Sequence, residues 1–377
     1  MNEIGAVPRC PPPMPVAFSG HRGDFFHVVR RGAALELVTL GFYRFWLVTD
    51  IRRYLWSNTE IDGDAAEYTG RGKELLIGFL IALAILVPVY LAYFLAGLEA
   101  ERVQAFASIP LVVFFYVFGQ FAIYRARRYR LTRTVWRGVR FWMDGSGWAY
   151  AARASLWGVL ILLTLGLILP WREAALERYK MRHSYYGDLQ GSFEGRGSEF
   201  FKRGWWLWLL APIALYVFPL APFVYGAFKA VEWRWWLSGI RFGGVRLEST
   251  MRRGALIGLY WKVIGWIVVL VLAFAAYLTL SASVIAGMSA TPFNQFFASQ
   301  AFVKNIPLLA LAGLGYLAFV LAINVVMRVY LMRDLWVRVL ASTIVHDIAA
   351  AADVSAKGEL ANALGEGFAD GLDVAGF

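Results

Sequence analysis

The residues able to do chemistry in this 377-residue chain are charged and aromatic, and they gather in short stretches. Four histidines, His21, His27, His183 and His346, are scattered, with no HExxH or other metal-ligand spacing. Cys10 is the only cysteine, which excludes an intrachain disulfide and a cysteine-based metal cluster. No GxSxG and no phosphate-cradling glycine loop occurs. These patterns point away from an enzyme: no catalytic residue, cofactor, cofactor-binding residue or metal ligand is expected. What recurs instead is arginine and glycine followed by an acid. Residues 18–26 read FSGHRGDFF, residues 68–76 YTGRGKELL and residues 193–201 FEGRGSEFF. The shared pattern is aromatic-x-Gly, Arg-Gly-x-acid, then two large apolar residues. In the first copy His21 is inserted and Asp24 follows Gly23 directly. Asp24, Glu74 and Glu199 each precede an apolar run, where a first-turn carboxylate meets unpaired N–H groups and the positive end of the helix dipole. Arg22-Gly23-Asp24 is therefore a helix-start element, and its likeness to an adhesion signal is accidental.

The echo is longer than the motif. Shifting residues 39–74 by 125 positions superposes Thr39-Leu40-Gly41 on Thr164-Leu165-Gly166, Trp46 on Trp171 and Arg53-Tyr54 on Arg178-Tyr179. Arg71 meets Arg196, and Glu74 meets Glu199. Looser relatives, RGVRFWMDG at 137–145, SGIRFGG at 238–244 and the basic stretch RVYLMRDLWVR at 328–338, extend the series to five junctions. These lie near 44–74, 125–153, 171–203, 227–254 and 328–350. The repeated Arg53, Arg71, Arg178 and Arg196 have two readings. They bind anionic lipid headgroups, or they fix topology and pair with the repeated acids. Trp46 and Trp171 are candidate structural repeat residues.

The elements that position these residues are membrane helices. The chain is 59% hydrophobic and 17% charged, where soluble domains carry about a quarter charged residues. Runs 75–98, 106–124, 255–280 and 306–327 are each long enough to cross about 30 Å of hydrocarbon. The net charge of +11 fits Lys and Arg facing anionic lipid better than nucleic-acid binding. Tryptophans near the ends of the apolar runs fit an interfacial belt. Each junction reads as a basic interfacial helix, a small hairpin, then the start of the next apolar helix. Asp62-Gly63, Asp144-Gly145, Gly187-Asp188 and Gly243-Gly244 supply the turn signals. Isolated hairpins are marginal in water, so hairpins of different junctions are expected to pair into one small sheet. The predicted class is an all-α integral membrane protein with multipass helices, internal pseudo-repeats, basic interfacial helices and small cytoplasmic β-hairpins.

Junctions one to four carry 5, 8, 7 and 6 Lys and Arg, which puts all of them in the cytoplasm. Single runs, 154–170 and 204–226, separate the second, third and fourth junctions, so full crossings would place the third outside. Either these runs and 27–45 are re-entrant, or all cross and the repeat is inverted. The shortness of 154–170 and the breaks at Pro212, Pro219 and Pro222 favour re-entry. Polar residues inside apolar runs are few. Glu36 is expected to pair with Arg30 or Arg31, Asn324 to make an interhelical hydrogen bond, and Lys262 to reach the interface.

The run from FSGHRGDFF through TLGFYRFWLVTDIRRYLWSNTEIDGDAAEYTGRGKELLIGF resembles the opening of the YjgN-like family of bacterial inner-membrane proteins, a family of unknown function. The resemblance is most specific over 17–80 and looser over 227–350. It implies a multipass protein of the bacterial inner membrane and brings no catalytic residues. The organisation expected is a proline-rich tail at 1–17, a membrane domain at 18–350 with halves 18–153 and 154–350, and an acidic Ala/Gly-rich tail at 351–377. The expected role is passive handling of a solute or lipid. The alternative is a membrane-embedded scaffold whose basic face binds a partner. Expected partners are anionic membrane lipids, with a protein partner or a second copy as further candidates, and no nucleic acid.

Overall fold

The structure is a computed structural model and describes residues 13–100, 108–288, 306–358 and 360. Residues 1–12 of the proline-rich tail and most of the acidic tail lie outside the described residues. The described chain opens with two strands split by Val16, β1 (Met14–Pro15) and β2 (Ala17–Phe18). Then come α1 (Arg22–Val38), α2 (Arg44–Ser57), β3 (Thr59–Ile61) and β4 (Asp64–Tyr68). The order of two helices and two strands returns three times. Its next round is α3 (Gly72–Ala100), α4 (Ser108–Thr132), β5 (Thr134–Trp136) and β6 (Val139–Met143). Then follow α5 (Gly147–Leu163), α6 (Leu169–Arg182), β7 (Ser184–Tyr186) and β8 (Leu189–Phe193). The fourth round is α7 (Gly197–Tyr216), α8 (Ala221–Gly239), β9 (Ile240–Phe242) and β10 (Val245–Ser249). Last are α9 (Ile257–Met288) and α10 (Ile306–Val326), which runs through a π-helical segment, Met327–Arg333, into α11 (Asp334–Ala341) and β11 (Thr343–His346).

Two-residue turns close the four contiguous hairpins, with Ile61 opposite Asp64, Trp136 opposite Val139, Tyr186 opposite Leu189 and Phe242 opposite Val245. Asp62 and Gly63 take φ of 55° and 78°, and Arg137 and Gly138 take 49° and 75°, the paired left-handed conformation such turns need. The second turn is thus Arg137-Gly138, not Asp144-Gly145. Asp144 and Gly145 follow β6 instead, where the Tyr124 hydroxyl donates to the Asp144 carbonyl.

The all-α class is wrong. Eleven antiparallel strands form one sheet in the order β1-β11-β10-β9-β8-β7-β6-β5-β4-β3-β2, so residues 14–18 stand at both of its edges. Met14 and Pro15 pair with Val345 and Ile344, while Ala17 and Phe18 pair with Glu60 and Thr59. Between them the Val16 N–H donates to Thr343 O at 3.1 Å. The sheet is nearly closed, and its last hairpin is assembled from the two ends of the chain. Strands of two to five residues barely mark the composition, yet pairing them around a nearly closed ring leaves only two-residue strands at its edges, too short to invite aggregation. A hydrogen bond repeats at every step. Ser19 N–H donates to Asn58 O (3.0 Å), Thr69 to Arg133 (2.8 Å), Asp144 to His183 (3.0 Å), Glu194 to Gly239 (2.9 Å) and Thr250 to Ser342 (2.8 Å). Val16, Trp136, Tyr186, Val345, Ile348 and Ala351 pack as one apolar core of the sheet.

All five junctions contribute strands to this one sheet, so they lie together. The short runs turn back. Between α1 and α2 the chain reverses through Leu40 (φ 51°) and Gly41 (φ 91°), and between α5 and α6 through Leu165 (φ 49°) and Gly166 (φ 87°). Thr39 and Thr164 hydroxyls donate to Leu35 O and Leu160 O at 2.7 and 2.8 Å, drawing carbonyls of the last turn into side-chain bonds. The turn between α7 and α8 is the 3-10 segment Phe218–Leu220, which carries Pro219. In all three short pairs the second helix returns to the sheet from which the first set out. Among the described residues, four helices are long and apolar enough to cross a membrane: Gly72–Phe94, Ile109–Thr132, Ile257–Met288 and Ile306–Ala341. Among the described residues, the long helices α3, α4, α9 and α10 thus alternate along the sheet with shorter pairs that turn back.

Candidate functional site

The repeated residues meet in the same way wherever the motif is intact. Each aromatic-x-Gly folds its ring over its own glycine. A Cβ on Gly20 would lie 2.8 Å from the Phe18 ring, on Gly70 2.6 Å from Tyr68, and on Gly195 2.5 Å from Phe193. The second glycine lets the next helix start against the preceding one. A Cβ on Gly72 would come 2.9 Å from Trp46 Cα, and on Gly197 2.8 Å from Trp171 Cα. Arg53 donates to Gly70 O at 3.3 Å and pairs with Asp50 at 3.4 Å, and Arg178 donates to Gly195 O at 3.5 Å. Tyr54 and Tyr179 hydroxyls donate to His21 O (2.8 Å) and Ser146 O (3.0 Å). These contacts extend the 125-residue correspondence back to residue 19. Trp46, Trp171, Arg53 and Arg178 therefore bind the junction to itself.

The acids of the motif diverge. Glu74 accepts from Tyr129 Oη at 2.8 Å and from Arg133 Nε at 2.9 Å, which ties α3 to α4. Glu199 and Asp24 are exposed in the first turns of their helices. Arg71 and Arg196 are exposed, and their carbonyls accept from the Glu74 and Glu199 N–H groups.

The third junction holds a buried ion cluster. Glu177 is 4% exposed, with Arg127 Nη1 at 2.7 Å and Lys180 Nζ at 2.5 Å. Burial alone would raise its pKa. The Arg127 and Lys180 charges, with hydrogen bonds from Lys180 and Trp236, outweigh it and hold the pKa at about 2.

A second polar cluster sits where α1, α9 and the π-helical segment meet. Asp334 is buried and faces Arg22 at 2.6 Å, Arg333 at 3.2 Å and Lys262 at 3.7 Å. Arg333 also donates to Gly20 O at 2.8 Å. Lys262 and Arg22 lie over the Tyr330 ring at 4.5 and 5.8 Å, and that ring stacks on Trp266 at 5.4 Å. Glu36 pairs with Arg328 at 3.2 Å, both only 15% exposed, rather than with Arg30 or Arg31. Asn324 donates to Val320 O of its own helix at 3.2 Å, not across helices. The cluster clasps the last span to the first short hairpin, and π-helical segments recur at functional positions. Residue pairs roughly 300 positions apart gave no signal in sequence. The one visible hint was Asp334, alone among the basic residues of 328–338. Among the described residues no three His, Cys, Asp or Glu gather as a metal site.

Residues 13–235 match the family model described as a bacterial protein of unknown function, DUF898, and the chain belongs to that family. It matches no curated protein and no solved structure. The match covers the first three junctions and stops inside α8, so the fourth β-hairpin and the last two candidate spans lie beyond it.

Proposed function

For this member of a bacterial family of unknown function, we propose a multipass protein of the inner membrane that handles lipid or solute passively. The YjgN-like resemblance of residues 17–80 supports the inner membrane, and the basic junctions support a cytoplasmic ring. The observation that carries the reading is the pairing of long and short helical hairpins on one base. The short helices α1 and α5, at 17 residues each, reach about 26 Å, against about 48 Å for the 32 residues of α9. Their reversals end in bare apolar side chains, with Leu40 87%, Leu165 93% and Tyr216 91% exposed. Such tips belong in hydrocarbon, not water. Re-entrant hairpins beside full spans disturb the bilayer and lower the barrier to lipid movement. The sheet core is filled with apolar side chains, so the route runs along the helices and not through the ring.

Fluorescent-lipid scrambling and solute flux in liposomes test this. Faster exchange than in protein-free vesicles is expected. No acceleration of either, together with a reproducible partner in crosslinking pull-downs, would instead establish the scaffold role.

A further inference from the structure

At the fourth junction the ring-over-glycine and arginine-to-glycine-carbonyl contacts are not repeated, and the next helix start is seated instead by Gly226, where a Cβ would lie 2.9 Å from Ile257 Cα. The ring hydrogen bonds set the register: Asn58, His183 and Gly239 carbonyls are equivalent, so Arg53, Arg178 and Arg234 correspond. In the first and third junctions this arginine closes on a glycine carbonyl. In the fourth the glycine is Met251, and the partners Gly72 and Trp46 are replaced by Arg253 and Ala227. A cleft of about 120 Å³ opens there, lined by Arg203, Ala230, Val231, Arg234, Met251 and Arg253. Among the described residues, Arg203, Arg234 and Arg253 have no hydrogen-bond or ion-pair partner. No carboxylate lines the cleft.

We propose that Arg203, Arg234 and Arg253 form a binding site for a phosphate group, presented by a phospholipid headgroup or as free phosphate. Three arginines lining one cleft beside Ala230, Val231 and Met251 suit a tetrahedral oxyanion, whose oxygens accept several charge-assisted bonds at once. All three are exposed, as Arg71 and Arg196 are; what sets them apart is that they converge on one cleft. The site lies at the base of the α7–α8 hairpin and the start of α9, and on the proposed membrane reading that is headgroup level. The lipid source rests on that reading; the phosphate chemistry does not.

The test uses the full-length protein in detergent, with short-chain phosphatidylglycerol and inorganic phosphate as separate probes. The triple variant R203Q/R234Q/R253Q is compared with R71Q/R196Q, which removes two exposed arginines from intact junctions. The triple variant should weaken binding at least about tenfold, the expected loss for charge-assisted bonds, and the control should stay within about twofold. Loss confined to phosphatidylglycerol assigns a lipid headgroup, and loss confined to inorganic phosphate assigns the free ion. Both supported arms require dependence on the three arginines. Should the triple variant not fold, Arg253→Gln alone, in an exposed turn, should still weaken binding about tenfold. Binding of neither probe to the wild type, unchanged binding in these variants, or equal loss in the control overturns the site. Scrambling by the wild type is read independently, so a failed transport role and a failed site give different results.

Discussion

The first and third junctions are the same device built twice, and the fourth is that device opened. In the first two, an aromatic ring covers a glycine, a second glycine seats a helix start on a tryptophan, and an arginine closes on the glycine carbonyl. In the fourth, Met251 and Arg253 occupy the glycine positions, and the arginine faces a cleft. Side chains that spend their hydrogen bonds on the backbone hold a ring together. The same residue type left without such a bond is available to a ligand. The repeat thus separates architecture from site within one molecule.

Breaking the sealed side should cost most at Glu177. Glu177→Gln strands Arg127 and Lys180 in a buried cluster and should destabilise by about 3–5 kcal/mol, measured by thermal unfolding in detergent. The pH dependence follows from its lowered pKa. The native contribution is full above about 4.5, the ordinary value, and is lost as pH falls toward 2. The variant should lack that part of the acid slope.

Next come the seating glycines. Gly72→Ala and Gly197→Ala push a Cβ against tryptophan backbone and should cost about 1–3 kcal/mol each. Arg253→Gly, at the matching position of the fourth junction, should leave stability within about 0.5 kcal/mol. Equal losses at all three would erase the distinction. Smallest is the arginine series. Arg53→Ala and Arg178→Ala remove one backbone hydrogen bond from partly exposed side chains and should cost under about 1 kcal/mol, with Arg234→Ala costing less still.

Much of the sealed device was legible in sequence. The constant 125-residue offset paired Trp46 with Trp171, Arg53 with Arg178 and the two TLG turns, and the structure repeats each contact. Turn residues marked the hairpins because two-residue loops demand positive φ. The same chemistry misled at Asp144-Gly145, which has the composition of a turn but serves as the exit from β6. Closure of the ring was hidden, since it joins residues 14–18 to 343–346 and no local pattern links them. Glu36 and Arg328 were hidden for the same reason. The cleft was masked because its arginines come from three elements and look like ordinary topology determinants one at a time.

The nearly closed ring shared by all five junctions is the claim on which the comparison stands, and accessibility tests it most directly. With Cys10 replaced by serine, Ala65→Cys on β4 and Ser192→Cys on β8 introduce exposed thiols at the first and third junctions, and Met288→Cys marks the far end of α9. In sealed vesicles of the membrane that carries the protein, a membrane-impermeant maleimide should label positions 65 and 192 from the same side, and position 288 only from the other. Labelling of 65 and 192 from opposite sides would contradict the ring and restore an inverted repeat.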